Sequence, residues 1–176
     1  MTGGMGIYVS EVAFFVSRPL TFLIWGGVFE RHPGLKVAIT EGTAVWVPEF
    51  MALLDHRFGE HAGNAKLGDY RSHLSMKPSE YFARQIRVGS NLHGREVQMR
   101  HEIGLGAMMW GSDYPHPEGS WPETPSRLRE NFAGVPADEI SRMLGDNAVE
   151  FYGFDREKLA SVVAEIGPDP EAISAG

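Results

Sequence analysis

Residues 107–125 read AMMWGSDYPHPEGSWPETP. The apolar start of this stretch predicts a short strand, and the remainder, rich in proline and glycine, predicts a stiff loop directly after it. The loop brings Asp113, His116, Glu118 and Glu123 within eleven residues of one another, beside Trp121. Proteins built on parallel sheets place their functional side chains where strands end at the carboxyl edge. A functional site is therefore predicted at the end of this strand.

Asp113 is the leading candidate in this loop. Its carboxylate could bind a divalent cation or accept a proton from metal-bound water, because the strand before it would hold it in place. Aspartate is also common in turns, where its side chain accepts hydrogen bonds from nearby backbone amides. The residues alone leave these two roles equally open.

Two further short apolar segments predict strands. LKVAIT, residues 35–40, is expected to be buried on both faces apart from Lys36, and QIRVGSN covers residues 85–91. Strands that alternate with helices indicate an α/β fold with a parallel sheet. Three strands leave two open sheet edges, so the pattern fits either a compact three-layer domain or a piece of a larger sheet or barrel.

Helices are predicted between and after the strands from helical spacing, prolines in first turns and glycines past helix ends. A polar loop is expected over residues 59–78, and a frayed end over residues 167–176. Predicted helices cover 6–32 with a break at Pro19, a segment after Pro48, a segment from Ser79, 94–103, 125–133 capped by Thr124, 137–144 ended by Gly145, 147–152, and 155–166.

Composition narrows the classes of partner. The net charge is −7, and the Lys and Arg residues are scattered, which argues against a surface for nucleic acid or anionic membranes. No cysteine is present, which excludes thiolate chemistry and suits the cytoplasm. The apolar stretch 12–29 is interrupted at Arg18 and Pro19, so each piece is shorter than the roughly 18 to 20 residues that span a bilayer. It is expected to form core-packed helices.

Four segments carry a resemblance to a known family. RPLTFLIWGGVFERHPGLKVAITEG (18–42), KPSEYF (77–82), MWGSDYPHPEGSWP (109–122) and GDNAVEFYGF (145–154) occur in this order. Together they resemble the C-terminal half of amidohydrolase-related proteins, the metal-dependent barrel hydrolases that include the aminocarboxymuconate-semialdehyde decarboxylase type. The resemblance implies the C-terminal portion of a (β/α)₈ TIM barrel, with residues 35–40 and 85–91 as strands six and seven. Asp113 then matches an active-site residue after the last strand.

The resemblance also implies an organisation and a set of site residues. Residues 1–155 are expected to form the partial barrel domain, and residues 156–176 a helix with a frayed tail. Asp113 and His116 are the expected catalytic residues, Asp113 and Glu41 the expected metal ligands, and Trp121 the expected substrate contact. The implied cofactor is a divalent metal ion, with zinc as the first candidate.

The sequence departs from the family pattern at the metal ligands. The His-x-His motif typical of the family is absent, and Glu41 stands where many relatives have histidine. Glutamate can ligate a hard cation through oxygen, although it could equally be a helix-terminal or supporting charge. His56 and His61 lack an HExxH pattern, so a metal role is not expected for them. The histidines at 32, 73, 93 and 101 are expected to be surface or capping residues.

Three functions follow as hypotheses. The first is a metal-dependent hydrolase acting on a small carbonyl or carboxyl substrate, and the second is a nonoxidative decarboxylase with a similar site. The third, from another class, is a noncatalytic half-barrel. Because a barrel usually needs about 250 residues, we expect the N-terminal half to be missing. The open sheet edges then call for a partner chain that carries it, or for a second copy of this chain.

Overall fold

The computed structural model describes residues 2–60 and 67–176. Its sheet has three parallel strands in the order β1-β2-β3, with β1 at Val37–Thr40, β2 at Ile86–Ser90 and β3 at Met108–Trp110. Ile39 pairs with Val88, and Val88 pairs with Met108. The prediction of three parallel strands with covering helices in an α/β fold is confirmed.

The helices fall between and after these strands. They are α1 (Gly4–Ser10), α2 (Val12–Trp25), α3 (Val28–Arg31), α4 (Val47–Gly59), α5 (Pro78–Gln85), α6 (Gly94–Gln98), α7 (Arg100–Ile103), α8 (Thr124–Phe132), α9 (Ala137–Ser141), α10 (Asn147–Tyr152), α11 (Arg156–Ile166) and α12 (Pro170–Ser174), with a 3₁₀ turn at Leu105–Ala107. Of the predicted loop 59–78, residues 61–66 lie outside the described part of the chain, and His61 lies there with them.

The first helices break at different places from those predicted. Pro19 lies inside α2, while the chain bends between α1 and α2 and again at Gly26 and Gly27. Pro19 and Phe15 are both exposed, so water can reach the carbonyl group that proline leaves without a donor. The Thr21 hydroxyl also donates to the Ser17 carbonyl oxygen at 3.0 Å in the same turn.

Strand β1 is less covered than the sequence suggested. Ile39 is buried, but Val37 and Ala38 are only partly buried and Thr40 is exposed. The reason is that β1 is an edge strand, and an open groove of about 270 Å³ runs between it and α2. The expectation that residues 35–40 are buried on both faces was therefore wrong.

Three helix boundaries also differ from the predictions. Gly145 does not end a helix, because a π-helical segment at Arg142–Asp146 joins α9 to α10 without a break. The predicted helix 94–103 is divided at Met99 into α6 and α7. Thr124 begins α8 instead of capping it, and the capping position belongs to Glu123.

The core is made by the sheet and the apolar faces of the helices. Its largest fully buried apolar side chains include Tyr81, Phe29, Phe132, Ile24, Ile86, Leu92, Met108, Ile140 and Met143. The Asn147 side chain at the start of α10 donates to the carbonyl oxygens of Met108 at 2.7 Å and Leu105 at 2.8 Å. These bonds fix the chain where it enters β3, and so fix the strand that leads to Asp113.

Within the C-terminal segment predicted to be frayed, Pro170–Ser174 form the helix α12. Asp169 caps α12 by accepting from the Glu171 amide at 3.0 Å. Ile173 is only 5% exposed, and the Gly134 amide donates to the Ser174 carbonyl oxygen at 2.9 Å. A buried isoleucine and a backbone hydrogen bond thus join this otherwise polar segment to the rest of the chain.

Within residues 2–60 and 67–176 no single helix has the length and apolar content to cross a membrane. Taken together, α1 and α2 have this length and apolar content, but the chain bends by 43° between them.

Candidate functional site

The loop after β3 is closed by its own backbone. The amide of Ser120 donates to the Ser112 carbonyl oxygen at 2.8 Å, and the amide of His116 donates to the Asp113 carbonyl oxygen at 2.8 Å. A Cβ atom at Gly119 would lie 2.8–2.9 Å from the carbonyl oxygens of Ser112, Asp113 and His116. Only glycine fits this position, so the turn brings His116 back beside Asp113.

Asp113 lies near the start of this loop in a backbone conformation that non-glycine residues seldom adopt, with φ at 59°. Its carboxylate oxygen Oδ2 lies 3.5 Å from Nδ1 of His116. The Asp113 side chain is 34% exposed and that of His116 is 57% exposed, so both can reach a bound molecule. The structure therefore brings together the two residues predicted to be catalytic.

His116 Nδ1 faces two partners, and it cannot form a hydrogen bond with both in one tautomer. Pairing with Asp113 needs a proton on Nδ1, whereas the Glu118 amide, 3.3 Å away, can donate only to an unprotonated Nδ1. The two contacts are therefore alternatives, which different tautomers of the ring would make.

Glu41 lies at the end of β1, on the same carboxyl edge of the sheet. Its amide donates to the Gly89 carbonyl oxygen at 3.2 Å, which extends the pairing of β1 and β2 by one residue. Its φ is 57°, and its side chain is exposed. The ends of β1 and β3 are roughly 10 Å apart, because two inter-strand spacings separate them.

Trp121 closes the other side of the Asp113 loop. Its ring packs edge-on against Tyr114, with ring centroids 5.7 Å apart and an interplanar angle of 75°. Both rings are about two-thirds exposed. They form an open aromatic wall beside Asp113, and the substrate contact predicted for Trp121 remains a prediction.

The described residues do not form a metal centre by themselves. In the ranges 2–60 and 67–176, no group of three or more His, Asp or Glu side chains converges as metal ligands. Asp113 and Glu41 are oxygen donors suited to a hard cation, but two separated carboxylates give only part of a coordination shell. A metal held here would need ligands beyond these two side chains.

Most other histidines have structural contacts, as expected. His73 Nε2 lies 2.8 Å from the Trp25 carbonyl oxygen, and His101 pairs with Glu139 at 3.2 Å. His56 pairs with Glu60 at 3.0 Å within α4 and the residue that follows it. His32 and His93 occupy capping positions at the ends of α3 and α6.

Sequence reasoning missed Glu96. This side chain is 2% exposed on α6, and its carboxylate accepts hydrogen bonds from the amides of His93 and Ala44. The only local signal was a glutamate three residues after a helix-capping position, a pattern that indicates a capping box. Histidine is an unusual capping residue, and the contact with Ala44 spans 52 residues.

Comparison with known proteins identifies the family. The model of the family described as Amidohydrolase matches residues 12–154. The chain belongs to the amidohydrolase family. The resemblance found in the four sequence segments is thereby confirmed, and the match includes both Glu41 and Asp113.

A curated relative from the amidohydrolase family is similar over much of the chain. It is a 2-amino-3-carboxymuconate-6-semialdehyde decarboxylase of Dictyostelium discoideum, 30% identical over 138 residues. The alignment covers 77% of this chain and 36% of the relative. The chain therefore spans about a third of the length of the curated relative that it matches.

Solved structures show the same fold. The crystal structure of 5-carboxyvanillate decarboxylase LigW from Sphingomonas paucimobilis has a TM-score of 0.65 and 25% identity, covering 81% of this chain and 41% of that one. An amidohydrolase from Mycobacterium avium subsp. paratuberculosis has a TM-score of 0.62 and 22% identity, covering 77% of this chain and 32% of that one. The sheet and helices described above thus correspond to a part of larger amidohydrolase-family proteins.

Proposed function

We propose that residues 1–155 are part of a (β/α)₈ barrel and carry the Asp113 side of the active site of a nonoxidative decarboxylase. The observation that carries this proposal is Asp113 itself, held at the end of β3 with φ at 59° and paired with His116 at 3.5 Å. Backbone strain of this kind persists where the surroundings hold it in place, and it is concentrated at functional sites.

The relatives favour decarboxylation over hydrolysis. The Dictyostelium relative and the Sphingomonas structure are both named as decarboxylases. Each name describes a carboxylate conjugated with double bonds or an aromatic ring. We therefore propose a small conjugated carboxylate as the substrate of this chain. The exposed rings of Tyr114 and Trp121 offer flat apolar surfaces against which such a molecule could stack.

The reaction requires one proton at a defined place. The bond between the carboxylate group and the substrate carbon that carries it breaks. The electron pair stays on that substrate carbon, and the carboxylate leaves as carbon dioxide. The same carbon then takes up a proton. Asp113 and His116, whose Oδ2 and Nδ1 atoms lie 3.5 Å apart, are the groups that would hold and transfer this proton. General acid catalysis by such a group contributes about 10² to 10⁴ in rate.

The proposed cofactor is a divalent metal ion, with zinc as the first candidate. Asp113 and Glu41 would be its oxygen donors from this chain, and both stand on the carboxyl edge of the sheet. They are too few to bind it alone, so the remaining ligands belong to residues outside this pair. The proton transfer described above involves only side chains of this chain.

The test uses the protein purified from its own cells, so that any bound or attached partner is retained. Release of carbon dioxide is measured with 5-carboxyvanillate and 2-amino-3-carboxymuconate-6-semialdehyde as probes. We expect turnover of at least one conjugated carboxylate, and we expect Asp113→Asn to lower kcat by about 100-fold or more. The matched control is Asp138→Asn, which removes an exposed carboxylate in the first turn of α9 and should leave kcat unchanged.

Three outcomes would contradict the proposal. Full activity in Asp113→Asn would remove Asp113 from the mechanism. Hydrolysis of amides or esters without release of carbon dioxide would favour the hydrolase. No turnover by the purified protein with either class of substrate would favour the noncatalytic half-barrel.

A further inference from the structure

Glu96 is a buried carboxylate that the proposed reaction does not use. It lies in the first turn of α6, directly after the loop that follows β2. One oxygen, Oε2, accepts from the His93 amide at 2.9 Å and closes the start of the helix. The other oxygen, Oε1, accepts from the Ala44 amide at 2.6 Å. Glu96 therefore connects the loop after β2 to the turn after β1.

The turn after β1 is strained. Glu41 and Thr43 have φ values of 57° and 50°, and both are non-glycine residues in the left-handed region. Each such residue persists only when its surroundings fix it. On one side, the Trp46 indole Nε1 donates to the carbonyl oxygens of Gly42 at 2.9 Å and Thr43 at 3.0 Å. On the other side, Ala44 is fully buried, and its amide donates a hydrogen bond to the Glu96 carboxylate.

We infer that Glu96 is a positioning residue whose buried carboxylate sets the 41–44 turn and thereby holds Glu41 at the carboxyl edge of the sheet. The importance of Glu41 for turnover rests on the proposed function, whereas the effect of Glu96 on the turn does not. Glu96 acts through the backbone of Ala44, three residues from Glu41.

A carboxylate is required for this double contact. It offers two oxygens, so it can accept from both amides at once, and hydrogen bonds to a charged acceptor are roughly twice as strong as neutral ones. Glutamine has one oxygen. In Glu96→Gln, the NH₂ group must face either the His93 amide or the Ala44 amide, and two donors then oppose each other in a buried place.

Glu80 provides a matched control. It occupies the same third helical position in α5 that Glu96 occupies in α6, and its Oε2 accepts from the Lys77 amide at 2.7 Å. Unlike Glu96, it is exposed to solvent. Glu80→Gln therefore perturbs a helix start of the same design without a direct effect on the turn after β1.

The experiment measures amide hydrogen exchange at residues 41–46 in the purified protein, together with kcat, KM and the melting temperature. We expect Glu96→Gln to raise the exchange rate at Ala44 about tenfold. We expect kcat to fall on the order of tenfold to a hundredfold with KM little changed. The reason is that the variant displaces Glu41, the proposed metal ligand, and leaves the surfaces that contact the substrate in place. Glu80→Gln should change neither exchange at Ala44 nor kcat.

Two results would overturn the inference. Unchanged exchange at Ala44 in Glu96→Gln, or an equal rise in both variants, would show that Glu96 does not set the turn. Faster exchange at Ala44 with unaltered kcat would leave this role of Glu96 standing and would contradict the proposed role of Glu41 in turnover. Failure of the proposed function is a separate result, seen as no carbon dioxide from the unmodified protein, and the exchange measurement still decides the role of Glu96.

Discussion

At the scale of single residues, acidic side chains in this chain are used in two ways. Asp113 and Glu41 are presented to the carboxyl edge of the sheet in strained conformations. Glu96 and Glu30 instead hold other parts of the chain together through hydrogen bonds. The first kind is available for chemistry, while the second kind is occupied by amides and hydroxyl groups.

Glu30 is the clearest case of the second kind. The Tyr81 hydroxyl and then the Ser75 hydroxyl and amide donate to its Oε2, and these hydrogen bonds hold the pKa of Glu30 below its usual value. Burial, and next the hydrogen bond to Glu30, raise the pKa of Tyr81, so its hydroxyl stays a donor. These hydrogen bonds join α3 to α5 and to the segment that precedes α5.

The prediction concerns Tyr81→Phe. A lowered pKa in the folded state stabilises the fold above the unfolded pKa of Glu30, and this contribution is lost as the pH falls through the folded pKa. Tyr81→Phe should therefore lower the melting temperature at pH 7 and have a smaller effect near pH 3. Thermal unfolding at both pH values tests this, with the exposed Tyr8→Phe as control. An effect that does not depend on pH would contradict the role of the carboxylate.

At the scale of elements, the strands were predictable and several helix boundaries were not. Each strand is a short apolar run between turn residues, so its position depends on local sequence. Gly145 is different, because glycine usually ends helices, yet here the backbone continues through a π-helical segment into α10. There Asn147 is fixed by carbonyl groups about 40 residues away in the sequence, and no local pattern reports such a contact.

A second prediction concerns the contribution of the C-terminal helix α12 to the stability of the fold. Ile173 is 5% exposed, whereas Ile166 at the end of α11 is 75% exposed. Ile173→Ala should lower the free energy of unfolding by about 2–4 kcal/mol, since it leaves a cavity in the core. Ile166→Ala should have almost no effect. Urea denaturation of both variants measures the difference, and similar midpoints for the two would show that α12 does not pack as described.

At the scale of the whole molecule, the sheet has one central strand and two edges. β2 is paired on both sides, while β1 and β3 are each paired on one side within the described chain. Amide protons in strands exchange through local opening, which is rarer where both neighbours are present. We therefore expect the slowest exchange in β2 and faster exchange in β1 and β3.

Hydrogen exchange of the 176-residue chain, resolved by strand, tests this expectation. Protection in β1 equal to that in β2 would contradict an open edge and would show that the edge is covered in solution. Dependence of that protection on protein concentration would then identify a second copy of this chain as the cover.

The candidate site could be predicted only in part, for reasons of distance along the sequence. Asp113 is recognisable because it follows a strand within three residues. Glu41 is recognisable in the same way. Glu96 is not, because its partner Ala44 is on another loop and its own surroundings resemble an ordinary helix start. A carboxylate at the end of a strand leaves a local pattern, whereas a contact between two loops is visible only in the fold.

The left-handed backbone at Glu41 and Asp113 has a consequence for engineering. Each residue carries roughly 1–3 kcal/mol of strain, which glycine would relieve. Glycine also raises the conformational entropy of the unfolded chain, which lowers the free energy of unfolding by only about 0.4–1 kcal/mol. A library screened for heat tolerance alone would therefore enrich glycine at both positions and discard the two acids. Under the proposed function, such a screen would have to hold positions 41 and 113 constant, because Glu41 and Asp113 are the proposed metal ligands.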